Sequence, residues 1–410
     1  MPHTSNTIVG TEGDELKNKV IIHCITSSIS CFLAPQISRK LMRHGAKVIP
    51  VMSPEAAKFI NPMIFEWATG ELPITEIKGK VEHVKYAGLS EEKADLILVA
   101  PITANSISKI ANGIMDTPVT LMTGAALGNK IPVIMVPTMH EVMMHNPAIE
   151  ENIDKLKKMG VSFVYPRVEE EKAKIPENDE IVEMCIRKIY NNSLKGKKVL
   201  INAGPTRAYL DGIRFLTNPS SGKMGYALAL ESWRRGAEVK LVYGATLLSP
   251  PKVIENTIKV ETADEMYNEM LDALKQNQFD YVILAAAMND FEAEEVRDSK
   301  IPSSSYLELK LKPTKKLADA VKETSPISQL ILFKAEYKKS TEDLKEVAVK
   351  RMQDANADLI VANDVSERKF GFESDNNKVL IIPFEGEMIE EEGSKLQIAK
   401  RILDTIEKMS

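Results

Sequence analysis

The sequence predicts an α/β protein in two domains, each a parallel sheet with helices on its faces, and three observations point there. At 410 residues the chain is longer than one typical core organises. Short apolar runs alternate with helix-period segments through both halves, the pattern of strand–helix–strand units with right-handed crossovers. Between the halves lies Tyr190-Asn-Asn-Ser-Leu-Lys-Gly196, a polar stretch of linker composition. The architecture is therefore Rossmann-like twice over, with ligands expected beyond the carboxyl ends of the strands.

The expected layout is a polar, mobile tail over residues 1–17, a first domain over 18–190, a linker over 191–197 and a second domain over 198–410. In the first domain Val20–Cys24 reads as a buried strand, Phe32–Arg43 as a helix, and Gly45 as its stop. Val48–Met52, Leu96–Ala100 and Val133–Val136 read as further strands, with a helix over Asn105–Ala111. The second domain repeats the plan: strand Val199–Asn202, helix Met224–Arg235, stop at Gly236, strand Glu238–Val242. Tyr281–Ala285, Gln329–Phe333 and Leu359–Val361 are its later strands, with a helix over Thr341–Asn356 before the last.

Composition narrows the function. Hydrophobic residues at 44% and charged residues at 27% are those of a soluble globular protein. A net charge of −5 gives no general electrostatic reason to bind nucleic acid or an anionic membrane, so any phosphate must be held by local sites. No apolar run approaches the roughly 20 residues of a spanning helix, and the N-terminus has no signal-peptide core. Cys24, Cys31 and Cys185 share no C-x-x-C spacing, which argues against a disulfide framework or structural zinc. A cytoplasmic enzyme or binding protein is expected.

Two segments of the second half carry the most information. Gly204-Pro-Thr-Arg207 and Asn218-Pro-Ser-Ser-Gly-Lys-Met-Gly225 follow one apolar run; Ala362-Asn-Asp-Val365 and Gly371-Phe-Glu-Ser-Asp-Asn-Asn377 follow another. A strand opening into small and polar residues before a helix offers amides and a helix N-terminus to an anion, and Lys223 adds a full charge. The spacing matches neither a P-loop nor G-x-G-x-x-G, which weakens a nicotinamide-dehydrogenase reading. In the first half Thr26-Ser-Ser-Ile-Ser30 has the same position, although serines and threonines there are also ordinary helix caps. Ala100-Pro-Ile-Thr-Ala-Asn105 and Pro137-Thr-Met-His-Glu-Val-Met-Met144 lie at later strand ends, and His83 is one of six histidines.

On those stretches the first half resembles the flavin-dependent cysteine decarboxylases, FMN proteins with a flavodoxin-like domain. The resemblance implies FMN held by Thr26, Ser27, Ser28, Ser30, Ser53, Pro101, Thr103, Ala104 and Asn105. It implies catalysis by His83, and substrate contacts from Met139, His140 and Met143. His140 stands where the family motif has asparagine. The family's flap cysteine has no counterpart in Tyr165–Pro176, where Lys172 and Lys174 are the candidate replacements at the substrate.

The second half resembles the phosphopantothenate–cysteine ligases, and the whole chain the bifunctional decarboxylase/ligase family of coenzyme A synthesis. The resemblance implies 4′-phosphopantothenate, L-cysteine and CTP as substrates, with Mg²⁺ on the triphosphate and an acyl-cytidylate intermediate. Asn218 and Lys300 would serve that intermediate. Gly204, Pro205, Thr206, Ser220, Ser221, Gly222, Lys223, Met224, Ala285, Ala286, Asp290, Phe333, Asn363 and Asp364 would contact the nucleotide or phosphate. Decarboxylase trimers and ligase dimers, joined in a dodecamer, are the implied assembly. Two alternatives are a competent ligase with an impaired decarboxylase, and a non-catalytic FMN-binding regulatory subunit.

Overall fold

The apolar runs become the centres of two sheets. A computed structural model describes residues 3–165, 167–169, 172–174, 176–302 and 307–409. It divides the chain into two compact units, Met1–Tyr190 and Asn191–Ser410.

The first unit is built on five parallel strands: β1 (Val20–Ile25), β2 (Lys47–Met52), β3 (Leu96–Ile102), β4 (Val133–Pro137) and β5 (Ser162–Phe163), in the order β2-β1-β3-β4-β5. Every residue of β3 is buried, as a central strand covered on both faces requires. Alternate residues feed two cores: Ile22, Cys24, Ile97 and Val99 on one face, Ile21, Leu96, Leu98 and Ala100 on the other. The helix expected from Phe32 begins as a 3₁₀ turn over Ile29–Leu33 and becomes α-helical at Ala34–Arg43. A short antiparallel hairpin, β6 (Arg167–Glu169) and β7 (Lys172–Lys174), occupies the flap segment. The side chains of Lys172 and Lys174 lie outside the described residues.

The polar start of the chain is packed rather than loose. Residues 4–8 form a 3₁₀ helix, and Leu16 is fully buried. The amides of Gly10, Glu12 and Leu16 donate to the carbonyls of Met42, Arg43 and His44 at 3.0, 3.0 and 2.8 Å. Those carbonyls end the helix Ala34–Arg43 and lack partners within it, so the segment is held by the helix it caps. Glu15 completes the contact with the His44 ring at 2.8 Å.

The second unit's main sheet runs β12-β11-β8-β13-β16-β17-β18-β19. The strands are β8 (Lys198–Ala203), β11 (Glu238–Tyr243), β12 (Thr257–Lys259), β13 (Tyr281–Leu284), β16 (Gln329–Glu336), β17 (Leu359–Asp364), β18 (Asn376–Pro383) and β19 (Ile389–Ser394). The first six are parallel; β18 and β19 pair antiparallel at one edge, an addition the strand–helix alternation did not reveal. The acidic β19 closes that edge with charge. A small hairpin, β9 (Arg207–Tyr209) with β10 (Phe215–Thr217), leaves the end of β8, and β14 (Phe291–Ala293) pairs with β15 (Leu311–Pro313). Arg235, almost wholly buried, joins two helices, Lys223–Arg234 and Lys395–Met409. Its guanidinium donates to Glu231 and Glu407 at 2.9 Å each and to the Lys400 carbonyl at 3.1 Å.

Candidate functional sites

In the first unit the parallel order brings the loops after β2, β1, β3 and β4 to one edge of the sheet, in that sequence. They carry Ser53, Thr26–Ser30, Thr103–Asn105 and Met139–His140. The chain reverses its direction of travel across the sheet between β1 and β3, the place where this strand order holds its ligand. Thr26 is buried there and spends its hydroxyl on the neighbour strand, donating to the Pro101 carbonyl at 3.0 Å and accepting from the Thr103 amide at 3.0 Å. Ser28 caps the 3₁₀ turn, Ser53 accepts from the Ala56 amide at 3.1 Å, and Thr103 caps the helix Ala104–Ala111. Ser27, Ser28 and Ser30 are half-buried and Asn105 is exposed, so neutral donors line this edge.

His83 is not with them. It stands in a separate open depression of about 370 Å³ with Val84, Gly88, Ala125 and Asn129. His140 and Met143 are exposed beside the short helix Glu141–Met144. Cys24 and Cys31 are buried and desolvation raises both thiols, Cys24 to about 12, which places them in the core. A residue the sequence did not flag supports the edge: His23, fully buried in β1, bonds Ser38 Oγ and the Ala100 carbonyl at 2.8 Å each. Burial lowers it to about 4, so the ring is neutral; Nε2–H donates to the carbonyl and Nδ1 accepts from the serine.

In the second unit the loops after β8, β13, β16 and β17 enclose a cavity of about 540 Å³, a size suited to a nucleotide. Asn218, Ser220, Ser221, Gly222, Lys223, Met224, Ala285, Ala286, Asp290, Phe333 and Asn363 line it. Gly204 and Gly222 make the close packing possible. Both have φ of +78°, and a Cβ on either would meet the Thr246 methyl, at 2.5 and 2.8 Å. Asn202, buried at the end of β8, accepts from the Ala286 amide at 2.9 Å, and Asn218 donates to the carbonyls of Ala287 and Met288 at 3.1 and 3.3 Å.

The two segments singled out in the sequence meet here. Ser221 donates to the Phe372 carbonyl at 2.8 Å, and Lys223 reaches the Glu373 carbonyl at 2.9 Å and the Asp375 carboxylate at 2.6 Å. The Lys223 hydrogen bond holds Asp375 below the usual carboxylate range. Six cationic side chains, Lys223, Lys315, Lys316, Lys334, Arg351 and Lys395, line the cavity, against one lining carboxylate, Asp290, which pairs with Lys316 at 2.5 Å. Only Lys223 of the six stands out in the sequence, because Lys315 and Lys316 in the loop after β15, Lys334 on β16, and Arg351 and Lys395 on two helices are gathered only by the fold.

Five expected residues stand outside the lining. Gly204, Pro205 and Thr206 form the floor beneath it: the Gly204 carbonyl accepts from the Ala287 amide at 2.9 Å, Pro205 bridges to Ala287, and Thr206 Oγ1 accepts from the Asn289 amide at 2.9 Å. Asp364 turns away, accepting from the amides of Lys338, Lys339 and Ser366. Lys300 is exposed, beside Ile301, whose amide is fixed by Asp211 at 2.9 Å. Asp211 also accepts from the amides of Ile213 and Arg214, and these backbone bonds, led by that from Ile301, hold its carboxyl at about 2. Among the described residues no cluster of three or more His, Cys, Asp and Glu is placed to hold a metal ion, and no helix is long and apolar enough to cross a membrane.

Two α/β units, one ending in a neutral hydroxyl-rich edge and the other in a cationic cavity, define a two-domain α/β protein with a candidate anion site in each half. Residues 9–190 match the Flavoprotein family, and residues 194–409 match the DNA/pantothenate metabolism flavoprotein C-terminal domain. The chain is 45% identical over 409 residues to the "Coenzyme A biosynthesis bifunctional protein CoaBC" of Thermococcus kodakarensis, covering 100% of both chains. It is 38% identical over 410 residues to the protein so named in Methanocaldococcus jannaschii, covering 99% of this chain and 98% of that one. A crystal structure of the C-terminal domain of a protein of that name aligns at 37% identity and a TM-score of 0.45, covering 53% of this chain and 98% of the other. The chain belongs to the family of bifunctional coenzyme A biosynthesis proteins.

Proposed function

We propose that the second unit joins L-cysteine to 4′-phosphopantothenate at the expense of CTP, and that the first unit decarboxylates the product to 4′-phosphopantetheine. The observation that carries the reading is the full-length relationship to the bifunctional family together with a cationic cavity at the second sheet's strand ends. In the ligation the pantothenate carboxylate attacks the α-phosphorus of CTP and pyrophosphate leaves. The cysteine amine then attacks the acyl carbon, loses a proton, and expels CMP. Both substrates are phosphorylated, and the charge on the departing pyrophosphate grows in the first step. Lys223 and its cationic neighbours would neutralise that charge, and the Ser220–Gly222 loop would border the phosphates. Mg²⁺ would arrive with the triphosphate. Lys300, on a loop outside the cavity, would have to swing toward the nucleotide.

In the first unit, FMN supplies the redox step of decarboxylation when bound. Uncharged hydroxyls of Ser27, Ser28 and Ser30 suit its single phosphate monoester, and Thr26 and His23 hold the loop that presents them. His140 would attend the substrate carboxylate, and His83, in its separate depression, would have to be brought to that edge to take part in catalysis. Lys172 or Lys174 would supply the proton that a flap cysteine gives elsewhere. The reading includes a cytoplasmic location and an oligomer of trimers and dimers, measurable by light scattering.

The test is an assay of the full chain with each nucleoside triphosphate, following pyrophosphate and CO₂ separately. The reading expects CTP-dependent pyrophosphate release and FMN-dependent CO₂ release. A yellow protein that releases pyrophosphate but no CO₂ would leave only the ligase. FMN binding without CTP-dependent pyrophosphate would point to a regulatory subunit.

A further inference from the structure

The second unit's cavity contains a buried charge that its helix does not call for. Lys395 opens the helix Lys395–Met409 and is only 6% exposed. Burial strips water from its ammonium, and the positive end of the helix dipole repels it, so both effects oppose a cation at this position. The helix start is already capped without it: the Ser394 amide donates to Gln397 Oε1 at 2.9 Å and the Gln397 amide to Ser394 Oγ at 3.3 Å.

The ammonium instead reaches the turn over residues 372–375. It donates to the carbonyls of Phe372, at 3.0 Å, and Ser374, while the Lys395 amide donates to the Asp375 carbonyl at 2.9 Å. Ser221 shares the Phe372 carbonyl, and Lys223 bonds Glu373 and Asp375 of the same turn. The turn is thus gripped between Lys395 and the Ser220–Lys223 loop, and all three border the cavity.

We infer that Lys395 is a positioning residue of this cavity: its ammonium fixes the 372–375 turn against Ser221 and Lys223, and so shapes the face on which a nucleoside triphosphate sits. The inference rests on the nucleotide reading of the cavity. Desolvation, and secondarily the like charge of Lys223, bring Lys395 down to about 8, against the opposite pull of Asp375. Those are the charged groups facing it. Below that value the clamp is cationic. Above it the amine is neutral and its hold on two carbonyls weakens.

Calorimetric titration of the full chain with CTP, and separately with inorganic tripolyphosphate, tests this. Lys395→Met, which keeps the stem and removes the charge, is expected to weaken both by about tenfold at neutral pH. Unsubstituted protein should lose affinity as pH rises through about 8. Lys395→Arg, charged throughout, should bind at neutral pH and show no such loss. Wild-type affinity in Lys395→Met, or a wild-type pH slope in Lys395→Arg, overturns the inference while leaving the cavity's role intact. Should Lys395→Met fail to fold, the arginine pH profile decides alone. If the unsubstituted protein binds neither probe, the nucleotide reading falls, and the inference with it.

Discussion

Thr26 and Asn202 hold equivalent places in their sheets. Each stands at the carboxyl end of a strand whose neighbours give the same order, β2-β1-β3-β4 in one unit and β11-β8-β13-β16 in the other. Each uses its side chain to stitch that strand to the loop after the next one, Thr26 to Thr103 and Asn202 to Ala286. Beyond that shared stitch the units diverge. The first presents serine hydroxyls, and the second gathers six cations. The shared scaffold brings both sets of loops to the strand ends, and the two sets differ in the charge they present.

The comparison can be broken most forcefully at Arg235. Arg235→Met removes the guanidinium that joins Glu231, Glu407 and Lys400, leaving Glu231 buried beside fewer partners, so a loss of about 3–5 kcal/mol in the second unit is expected. Differential scanning calorimetry should show that transition moving while FMN-linked melting of the first unit stays. Next is Lys300→Gln. If its loop swings to the triphosphate, CTP-dependent pyrophosphate release should fall about 10²–10³-fold, with CO₂ release from supplied phosphopantothenoylcysteine unchanged. An unaffected ligase rate would leave Lys300 where the structure places it, outside the cavity.

Thr26→Val is milder. It leaves the Thr103 amide without its partner and the Pro101 carbonyl with only the Thr26 amide at 3.2 Å, at about 1–3 kcal/mol. It should bleach the yellow colour while CTP affinity is retained; loss of both would deny the separation of sites. The smallest effect is on acid stability. His23 is held neutral by burial, from an ordinary 6.5 down to about 4, so its contribution is complete above about 6.5 and lost as pH falls toward 4. Asp211 is depressed from 3.8 to about 2, so its contribution is complete above about 4 and lost only below. The first unit should weaken at milder acidity than the second, and His23→Gln should flatten that early loss in a urea-melt series.

Much of this was legible in the residues. Strand runs such as Leu96–Ala100 and helix stops at Gly45 and Gly236 declare themselves through local chemistry, and their structural bounds differ by only a residue or two. The 218–225 and 371–377 segments were each readable as a polar opening after a buried strand, but their meeting was not. Lys223 and Asp375 lie 152 residues apart, and no local pattern shows their ion pair. Lys395 was invisible for a related reason: the Ser394-Lys-Leu-Gln397 capping box marks a helix start, but burial comes from the turn that folds over it. Polarity misled at the N-terminus, where backbone amides are what the carbonyls at a helix end can accept from.

The absence of full charges along the first unit's Thr26–Ser30 loop, where the proposed function puts the flavin phosphate, has a practical consequence. Bonds from neutral hydroxyls and amides are little affected by dissolved ions, whereas attraction between lysines and a polyanion weakens as counterions crowd in, over a screening distance of about 8 Å at physiological ionic strength. Concentrated sodium chloride should therefore strip nucleotide from one half of the molecule while the other keeps its flavin, and a simple salt wash would separate two chemistries that share one chain.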